Sequence, residues 1–453
     1  MLKKVWERKI KMSKINKTIV AIKQVLQAGA ILPESGKATT KRATKYLLRL
    51  FSNITDCRMP GMICYPLNYI ILITFLAILG GADTWQEIHD FGEEKKSWLK
   101  KFIPVKKYGI PSHDTFCRVF GLINKKQLQE RVVEALKNNL NLIKHNLHVN
   151  DSENEYKHLY IDGKEERGTG RKYQSSRKSE VKNLHTLHVF DSSSQICLVS
   201  QEIDDKTNEI PVAKEILETM DLKNTICTFD AMHMQRKTVE IILKQKGHYV
   251  GGLKGNQAGL QEVAAECLSE EVLRKLRRSK KHTKPVYIYE RESSHGKVTI
   301  AREYFMIRVP ENDKTENWAG LTSFVMCEKF IYSKNPEEEI TREIRFYATD
   351  LTDLEVIADA IRSHWQIEES HWHLDVSFNE DDNSTMNRNA FENLSLLIKL
   401  CVHILSLVQT KKQGVSMRRM RKKAAWNFEG MLEEILRYFD IETIVQTLEN
   451  ARI

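Results

Sequence analysis

The sequence predicts a mixed α/β protein that begins with a helical domain. Three observations indicate this class. Apolar residues before about residue 150 recur at helical spacing, short apolar runs alternate with helical segments from about residue 157 to residue 253, and strand-like runs occupy residues 285 to 349. The chain has 453 residues, 41% of them hydrophobic, so it can form two or three domains with substantial cores and is too apolar to be disordered.

Positive charge is concentrated at the N-terminus. Residues 1 to 50 contain 13 Lys or Arg and only two acidic residues, Glu7 and Glu34, so the formal net charge of +10 arises there and the remainder is nearly neutral. A basic arm on a neutral body fits a polyanion partner such as DNA. For a charge run alone, a solvated tail is an equally weighted alternative.

Cysteine usage and hydropathy indicate an intracellular protein. The eight Cys are scattered and form no C-x-x-C pair, which is typical of reduced thiols and gives no structural zinc signature. The longest apolar run, Ile70 to Leu79, is too short to span a bilayer, which takes roughly 20 residues. We therefore expect a core helix here, no membrane partner and a cytoplasmic location.

The first domain is predicted to consist of helices. One runs from Leu67 to Leu79 and is closed by glycine, a second is capped by Asp83 or Thr84 and runs through His89, and a third opens at Ser112. The functional interpretation is DNA contact through a helix-turn-helix-like arrangement, which the flanking charge favours slightly. The alternative is a packing unit without contact to DNA.

A strand and helix alternation follows, in which two strands are predicted to end on an acid. The predicted elements are the strand His158 to Asp162, a hairpin of Leu184 to Phe190 with Ile196 to Ile203, a helix from Glu209 to Met220 capped by Asn208, the strand Thr225 to Asp230, a helix from Arg236 to Lys246 and the strand Tyr249 to Leu253. In open α/β sheets, reactive groups gather beyond the carboxyl ends of strands, so Asp162 and Asp230 can converge if their strands are neighbours.

A third acid, Glu368, lies in a helical stretch that begins near Leu354. The apolar spacing predicts one continuous buried face that carries Ile361, Trp365, Trp372 and Glu368, whereas Glu369 is turned about 100° away. A carboxylate on a buried face needs a partner. Three carboxylates form a hard-oxygen site suited to Mg²⁺, with Mn²⁺ as a substitute, and two such ions would clamp the reacting oxygens of a phosphodiester. Strand-terminal Asp residues also serve as turn formers and caps, which is the alternative.

Two further regions carry charge. Residues 258 to 284 are predicted to form a helix with a basic end, and an apolar helix from Asn393 to Val408 leads to a basic tract at Arg418 to Lys423 and a helix through Leu436. Phosphate contacts and a solvated helix face explain the basic end of the first helix equally well. The glycine-containing segment at Gly251 to Gly255 lacks Walker spacing, so no nucleotide cofactor is expected.

Several sequence blocks, in order, resemble bacterial insertion-sequence transposases of the DDE type, and among them the group with the H-repeat-associated proteins. The blocks are IDGK (161–164), TFDAM (228–232), GLKGNQ (252–257), ATDL (348–351) and RSHWQIEESHWHLDVSFNED (362–381). The resemblance runs from about Leu67 to the C-terminal region. It implies an RNase H-like mixed sheet with flanking helices, a helical N-terminal domain, and a largely β insertion before the last catalytic helix.

Transferred by position, the resemblance makes Asp162, Asp230 and Glu368 the catalytic and metal-binding triad. It implies cleavage at the element ends and strand transfer into target DNA, with the terminal inverted repeats and the target as partners and a homodimer in the DNA complex. The location would be cytoplasmic, and nucleoid-associated when the protein is bound to DNA. Two alternatives stay open: a structure-selective endonuclease on the same fold, and a domesticated DNA-binding protein without catalysis.

The implied domain boundaries follow the same order. They are a basic arm (1–60), a helical domain with DNA contact (61–150), the first part of the catalytic core (151–257), the insertion (258–350), the second part of the core with the glutamate helix (351–410) and a basic helical tail (411–453).

Seven residues are predicted to contact DNA, and they are Lys164, Arg167, Lys254, Arg362, His364, His371 and Trp372. At helical spacing, Trp365 and Trp372 are more often core residues than stacking platforms for a base. Where the wider superfamily often has Tyr, Arg and Lys around its glutamate, this chain has Ile361, His364 and Asp375. Which cations contact phosphate is therefore open.

Overall fold

The computed structural model describes most of the chain. The described residues are 37–146, 156–170, 182–192, 196–204, 207–278, 285–294, 298–333, 341–409, 415–427 and 430. Most of the predicted basic arm, the loop at 171–181 and the predicted helix through Leu436 lie outside these residues.

The N-terminal domain is helical, as predicted. Its α-helices are α1 (Lys37–Ser52), α2 (Leu67–Leu79), α3 (Trp85–Glu94), α4 (Lys96–Leu99), α5 (Val105–Tyr108), α6 (His113–Phe120) and α7 (Lys125–Asn146). Thr84 caps α3 in a capping box with Glu87, and Ser112 caps α6 through the Thr115 N–H. Helix α3 continues five residues beyond the predicted end at His89.

Within the described residues, nine strands form one mixed sheet in the order β3-β2-β1-β4-β5-β9-β8-β7-β6. The strands are β1 (Lys157–Glu166), β2 (Leu184–Asp191), β3 (Ile196–Glu202), β4 (Thr225–Phe229), β5 (His248–Leu253), β6 (Tyr287–Ser294), β7 (Val298–Arg308), β8 (Ser323–Ser333) and β9 (Thr341–Thr349). The pairs β1/β4 and β4/β5 are parallel, and the predicted β2/β3 hairpin is confirmed.

Helices cover both faces of the sheet. The remaining helices are α8 (Glu209–Thr219), α9 (Arg236–Lys244), α10 (Ala258–Cys267), α11 (Glu270–Arg278), α12 (Leu354–Ser363), α13 (Trp365–Trp372), α14 (Arg388–Gln409) and α15 (Met417–Trp426). Leu159 and Ile161 of β1 pack with α8 to α11 on one face. The opposite face carries Tyr160 and Ile226, which pack against α13 and α12 respectively. Alternate residues of each strand thus serve two separate cores.

The strands predicted as an insertion continue the same sheet. Strand β9 pairs with β5 over Val250↔Thr349 to Leu253↔Phe346, and β8, β7 and β6 follow outward. The single predicted helix over 258–284 is two helices, α10 and α11, before the described part stops at residue 278.

The predicted continuous helix around Glu368 is wrong. Helix α12 ends at Ser363, α13 begins at Trp365, and a π-helix follows at His373–Ser377. After the break, the buried residue of α13 is Ile367. Glu368 is exposed, and the side chain of Trp372 is 53% exposed. π-turns of this kind occur often at functional sites.

The N-terminal helices share a core with the C-terminal ones. Ile70 to Leu79 of α2, Phe116 of α6, Leu397 of α14 and Met420 of α15 belong to one buried cluster. The apolar run Ile70 to Leu79 is thus a core helix, as predicted. No helix among the described residues is long and apolar enough to cross a bilayer.

Candidate active site

Asp162 and Asp230 lie side by side because of the parallel β1/β4 register. Ile161 is paired with Phe229, and each acid is the next residue of its strand. Strand β1 does not end at Asp162, contrary to the prediction, because β2 remains paired with it as far as Glu166. Asp162 therefore lies within a strand, between His188 of β2 and the end of β4. The two strands are neighbours, which was the condition for the predicted convergence of Asp162 and Asp230.

Glu368 interacts electrostatically with these two acids. Burial raises the pKa of Asp162 to about 7, and the negative charges of Asp230, Glu209 and Glu368 add to the shift. Desolvation likewise raises the pKa of Glu368, an effect that Arg345 opposes and Asp230 reinforces. Burial, together with repulsion between neighbouring carboxylates, thus raises the proton affinity of Asp162 and Glu368.

The choice between Glu368 and Glu369 rests on these contacts. Glu369 is directed away from the sheet: its side chain is 71% exposed and its Oε1 lies 3.9 Å from His373 Nε2. Glu368 instead interacts with Asp230 and Arg345. Glu368 therefore stays the predicted third acid, although it does not lie on the buried helical face from which it was predicted.

The three carboxylates fit a hard divalent cation by their chemistry. They supply only oxygen donors, and their mutual repulsion is the penalty that a Mg²⁺ or Mn²⁺ ion removes. Among the described residues, no three His, Cys, Asp or Glu side chains are already gathered at metal-ligand spacing. The acids share a neighbourhood, and their side chains do not converge on one point.

His371 is an internal partner of Asp162. Its Nδ1 lies 3.6 Å from Asp162 Oδ2, and its Nε2 lies 2.7 Å from Nδ1 of His188. Burial lowers the pKa of His371 to about 3, so the ring is neutral at pH 7. With only 14% of its side chain exposed, His371 is not placed to contact DNA as predicted.

Lys164 also departs from its predicted role in DNA contact. Its side chain is 5% exposed and lies in a buried cluster with Glu166, Asp375 and Glu380. The Lys164 Nζ is 2.9 Å from Asp375 Oδ1 and 3.0 Å from Glu380 Oε2. Because it compensates these internal carboxylates, Lys164 is not available to a phosphate.

Two other predicted DNA contacts are occupied by internal partners. Arg362 pairs with Glu290 and Asp359. His364 Nδ1 lies 3.0 Å from Thr228 Oγ1, and burial lowers the pKa of this histidine to about 4. Both residues therefore stabilise the packing of α12 against the sheet.

Three of the residues predicted to contact DNA have accessible side chains. The side chains of Arg167 and Lys254 are 78% and 68% exposed, and Trp372 is 53% exposed. Lys254 Nζ lies 3.8 Å from Asp230 Oδ2, so this cation is next to the acid pair.

Comparison with known proteins gives two family matches and several full-length relatives. The Transposase DDE domain matches residues 153–405, and the DDE_Tnp_1-associated domain matches residues 48–134. The "H repeat-associated putative transposase YhhI" and the "Putative protein YbfL", both of Escherichia coli strain K12, are each 32% identical over 388 residues, which is 84% of this chain and 95% of theirs. The "Putative transposase YncI" of E. coli O157:H7 is 32% identical over 394 residues, 86% of this chain and 94% of its own.

The chain belongs to the DDE transposase family. The match to H-repeat-associated proteins confirms the predicted group within it. The DDE domain of this transposase contains the whole described sheet and the larger part of α14, which ends at Gln409. The associated domain spans part of α1 through part of α7.

Sequence reasoning missed the cations that flank Glu368 in this transposase. Lys329 of β8 and Arg345 of β9 lie over the Trp365 ring, with Nζ 3.8 Å and Cζ 5.3 Å from its centroid. Both positive charges oppose the desolvation that raises the pKa of Glu368. They were missed because they come from strands distant in sequence. The sequence did contain a signal, because Lys329 and Arg345 are basic residues within two runs that have strand-like alternation.

Proposed function

We propose that this insertion-sequence transposase cleaves DNA at the ends of its element and joins the freed 3′ ends to target DNA, with Asp162, Asp230 and Glu368 as the metal-binding triad. The observation that carries the proposal is the parallel register of β1 and β4, which makes Asp162 and Asp230 neighbours. The charge of Glu368 acts on both. Proteins of this family generally depend on a divalent metal.

In this proposal the acids supply oxygen ligands and the nearby cations balance charge. A bound Mg²⁺ would promote attack on the phosphodiester and stabilise charge on the leaving oxygen. Asp162 is kept in place by the Gly163 N–H, which donates to its Oδ1 at 3.0 Å, and by His371. Arg345 and Lys329 limit the repulsion around Glu368 and add positive charge where a phosphate would approach.

DNA would cross the exposed side of the acid group. Lys254 and Arg167 provide cations for phosphate oxygens, and Trp372 provides an exposed ring for stacking on an unpaired base. The N-terminal helical domain and the basic arm would hold the terminal inverted repeats, and two copies of the chain would pair two ends. In the cell, the bound protein would be associated with the nucleoid.

The domain layout belongs to the same proposal. An RNase H-like core would comprise 151–257 and 351–410, interrupted by the insertion at 258–350. Residues 1–60 would form the arm, 61–150 the helical domain and 411–453 the basic tail. The supporting feature is that β1, β4 and β5 alternate with helices, whereas β6 to β9 form a run of antiparallel strands.

The test is excision from a supercoiled plasmid that carries the DNA flanking the gene, in the presence of Mg²⁺. Wild type should cleave and join, whereas Asp230→Asn and Glu368→Gln should each reduce the rate by about 1,000-fold or more, because each loses a ligand charge. Glu369→Gln is the matched control and should retain wild-type activity. Undiminished divalent-dependent cleavage by Asp230→Asn would refute the triad.

Other outcomes of that test identify other functions. Cleavage without any joined product would indicate a nuclease. Tight DNA binding by wild type without cleavage would indicate a repurposed binding protein.

A further inference from the structure

Glu209, the first residue of α8, is a buried carboxylate with both oxygens engaged. Its Oε2 lies 2.9 Å from His233 Nε2, and its Oε1 lies 3.1 Å from His185 Nε2. The residue is 8% exposed. A carboxylate is rarely buried to this extent unless it has partners, so the arrangement specifies its position closely.

Glu209 lies directly against strand β1 next to Asp162. A Cβ built on Gly163 would come within 2.2 Å of Glu209 Oε1, so only glycine leaves room for the carboxylate there. Gly163 follows Asp162, and successive strand residues point to opposite faces. The carboxylate therefore sits on the α8 side of β1, while Asp162 points to the other side.

His233 connects Glu209 to the turn that carries Asp230. It is the last residue of the 3₁₀ turn Ala231–His233, and its backbone N–H donates to the Asp230 carbonyl oxygen at 3.0 Å. The His233 ring is buried, so its orientation depends on the Glu209 contact. Asn256 holds the same turn from the opposite side by donating to the Ala231 carbonyl oxygen at 2.5 Å.

We propose that Glu209 is a positioning residue for the acid pair: through Gly163 and His233 it sets the position of Asp230 relative to Asp162 for metal binding. The inference rests on the proposed function, because it assumes that these aspartates hold the metal. Residues that orient metal ligands from outside typically change metal affinity or activity by about 10–100-fold when they are replaced.

A purely structural role predicts a different result. A buried carboxylate and histidine pair stabilises the fold wherever it lies, and its loss would change stability without changing metal affinity. The chain provides a matched pair for comparison. Asp350 Oδ2 lies 2.6 Å from His248 Nδ1, at the start of β5 and so at the opposite end of the sheet from Asp230.

The experiment is calorimetric titration of the full-length protein with Mn²⁺, which requires no DNA. Glu209→Gln keeps the side-chain volume and should weaken Mn²⁺ binding by about 10-fold or more. Asp350→Asn should bind Mn²⁺ within about twofold of wild type, even if its melting temperature falls. His233→Leu serves as a second variant if Glu209→Gln does not fold, and it should weaken Mn²⁺ binding in the same direction.

The outcomes separate the two proposals. Near-wild-type affinity of folded Glu209→Gln, together with lost binding in Asp230→Asn, overturns the positioning role and leaves the triad in place. Equal weakening by Glu209→Gln and Asp350→Asn also overturns it, since both would then act through general stability. If wild type binds no Mn²⁺, or Asp230→Asn binds it as wild type does, the triad fails and the positioning role fails with it.

Discussion

At the scale of single residues, the environment of a side chain determines its role more than its type does. Lys164 and Lys254 are both cations beside acids, yet one is 5% and the other 68% exposed. His158 is buried and His371 is largely enclosed, but of the two only His371 has a polar partner in the part of the chain that the structure describes. Each of these two comparisons leads to a separate prediction.

His158 should make the protein sensitive to mild acid. It is fully buried, neither ring nitrogen has a hydrogen-bond partner among the described residues, and burial lowers its pKa from 6.5 to about 3. The unfolded chain therefore binds more protons between these values, so the stability contribution is present above pH 6.5 and is lost as the pH falls. Between pH 6.5 and pH 5, the unfolding free energy of His158→Leu should therefore fall by about 2 kcal/mol less than that of wild type, as measured by urea unfolding.

An exposed histidine provides the control for this measurement. His113 has 49% of its side chain exposed, and His113→Leu should leave the pH dependence unchanged. An identical effect of both substitutions would contradict the assignment to burial.

Lys164 should matter for stability and Lys254 for DNA binding. Lys164→Met leaves Glu166 and Glu380 buried without their cation and should cost on the order of 3–5 kcal/mol in unfolding free energy. Lys254→Met should leave stability unchanged and lower the slope of log affinity against log salt by about 1. Chemical denaturation and fluorescence anisotropy with an element-end duplex distinguish the two. Reversed effects would mean that Lys164 contacts phosphate after all.

At the scale of elements, the spacing of apolar residues does not predict where helices end or break. The break at His364 separates Glu368 from the buried face of α12, and a π-helix follows α13 at His373–Ser377. The C-terminal helix α15 is another case, because the sequence predicts only a basic helical tail there. One of its arginines is instead the anchor of the helix.

Arg421 should be the main electrostatic attachment of α15. Its guanidinium donates to the carbonyl oxygens of Ser377 at 2.8 Å and Ala82 at 2.9 Å and pairs with Asp83. Arg421→Met should lower the unfolding free energy by about 3 kcal/mol or more, because these acceptors would remain without a donor. Differential scanning fluorimetry would detect the loss.

The neighbouring Arg419 is exposed and is the matched control for Arg421. Arg419→Met should change stability by less than about 0.5 kcal/mol. A similar loss in both variants would mean that the general charge of α15, and not the buried contacts of Arg421, holds it in place.

At the scale of the whole molecule, the N-terminal helices and the DDE domain are parts of one folding unit. Most of helix α14 lies within the family's DDE domain, and Leu394, Leu397 and Ile404 on it are buried in the same cluster as α2 and α6. The sheet itself has separate cores on its two faces.

A fragment that starts at residue 153 should therefore not fold alone. It would expose the apolar face of α14 that α2 and α6 cover, and a large exposed apolar patch causes aggregation. We expect residues 153–427 to elute as aggregates in size-exclusion chromatography, whereas residues 37–427 elute as a defined species. A monodisperse, cooperatively melting fragment 153–427 would show that the two parts are independent.

The sequence by itself determined the N-terminal helices, the strand and helix alternation and the β2/β3 hairpin, whereas the pairing of β1 with β4 beside Asp162 and Asp230 was only a condition. These features depend on local periodicity, caps such as Thr84 and Asn208, and short-range strand order, all of which are encoded in contiguous residues.

Only the tertiary structure decided the direction of Glu368, the burial of Lys164 and the engagement of Glu209 by two histidines. Each depends on partners far away in the chain: Arg345 for Glu368, Glu380 for Lys164, and His185 with His233 for Glu209. Whether a charged side chain is solvated or enclosed depends on which elements pack over it, and the period of its own helix or strand does not specify those elements.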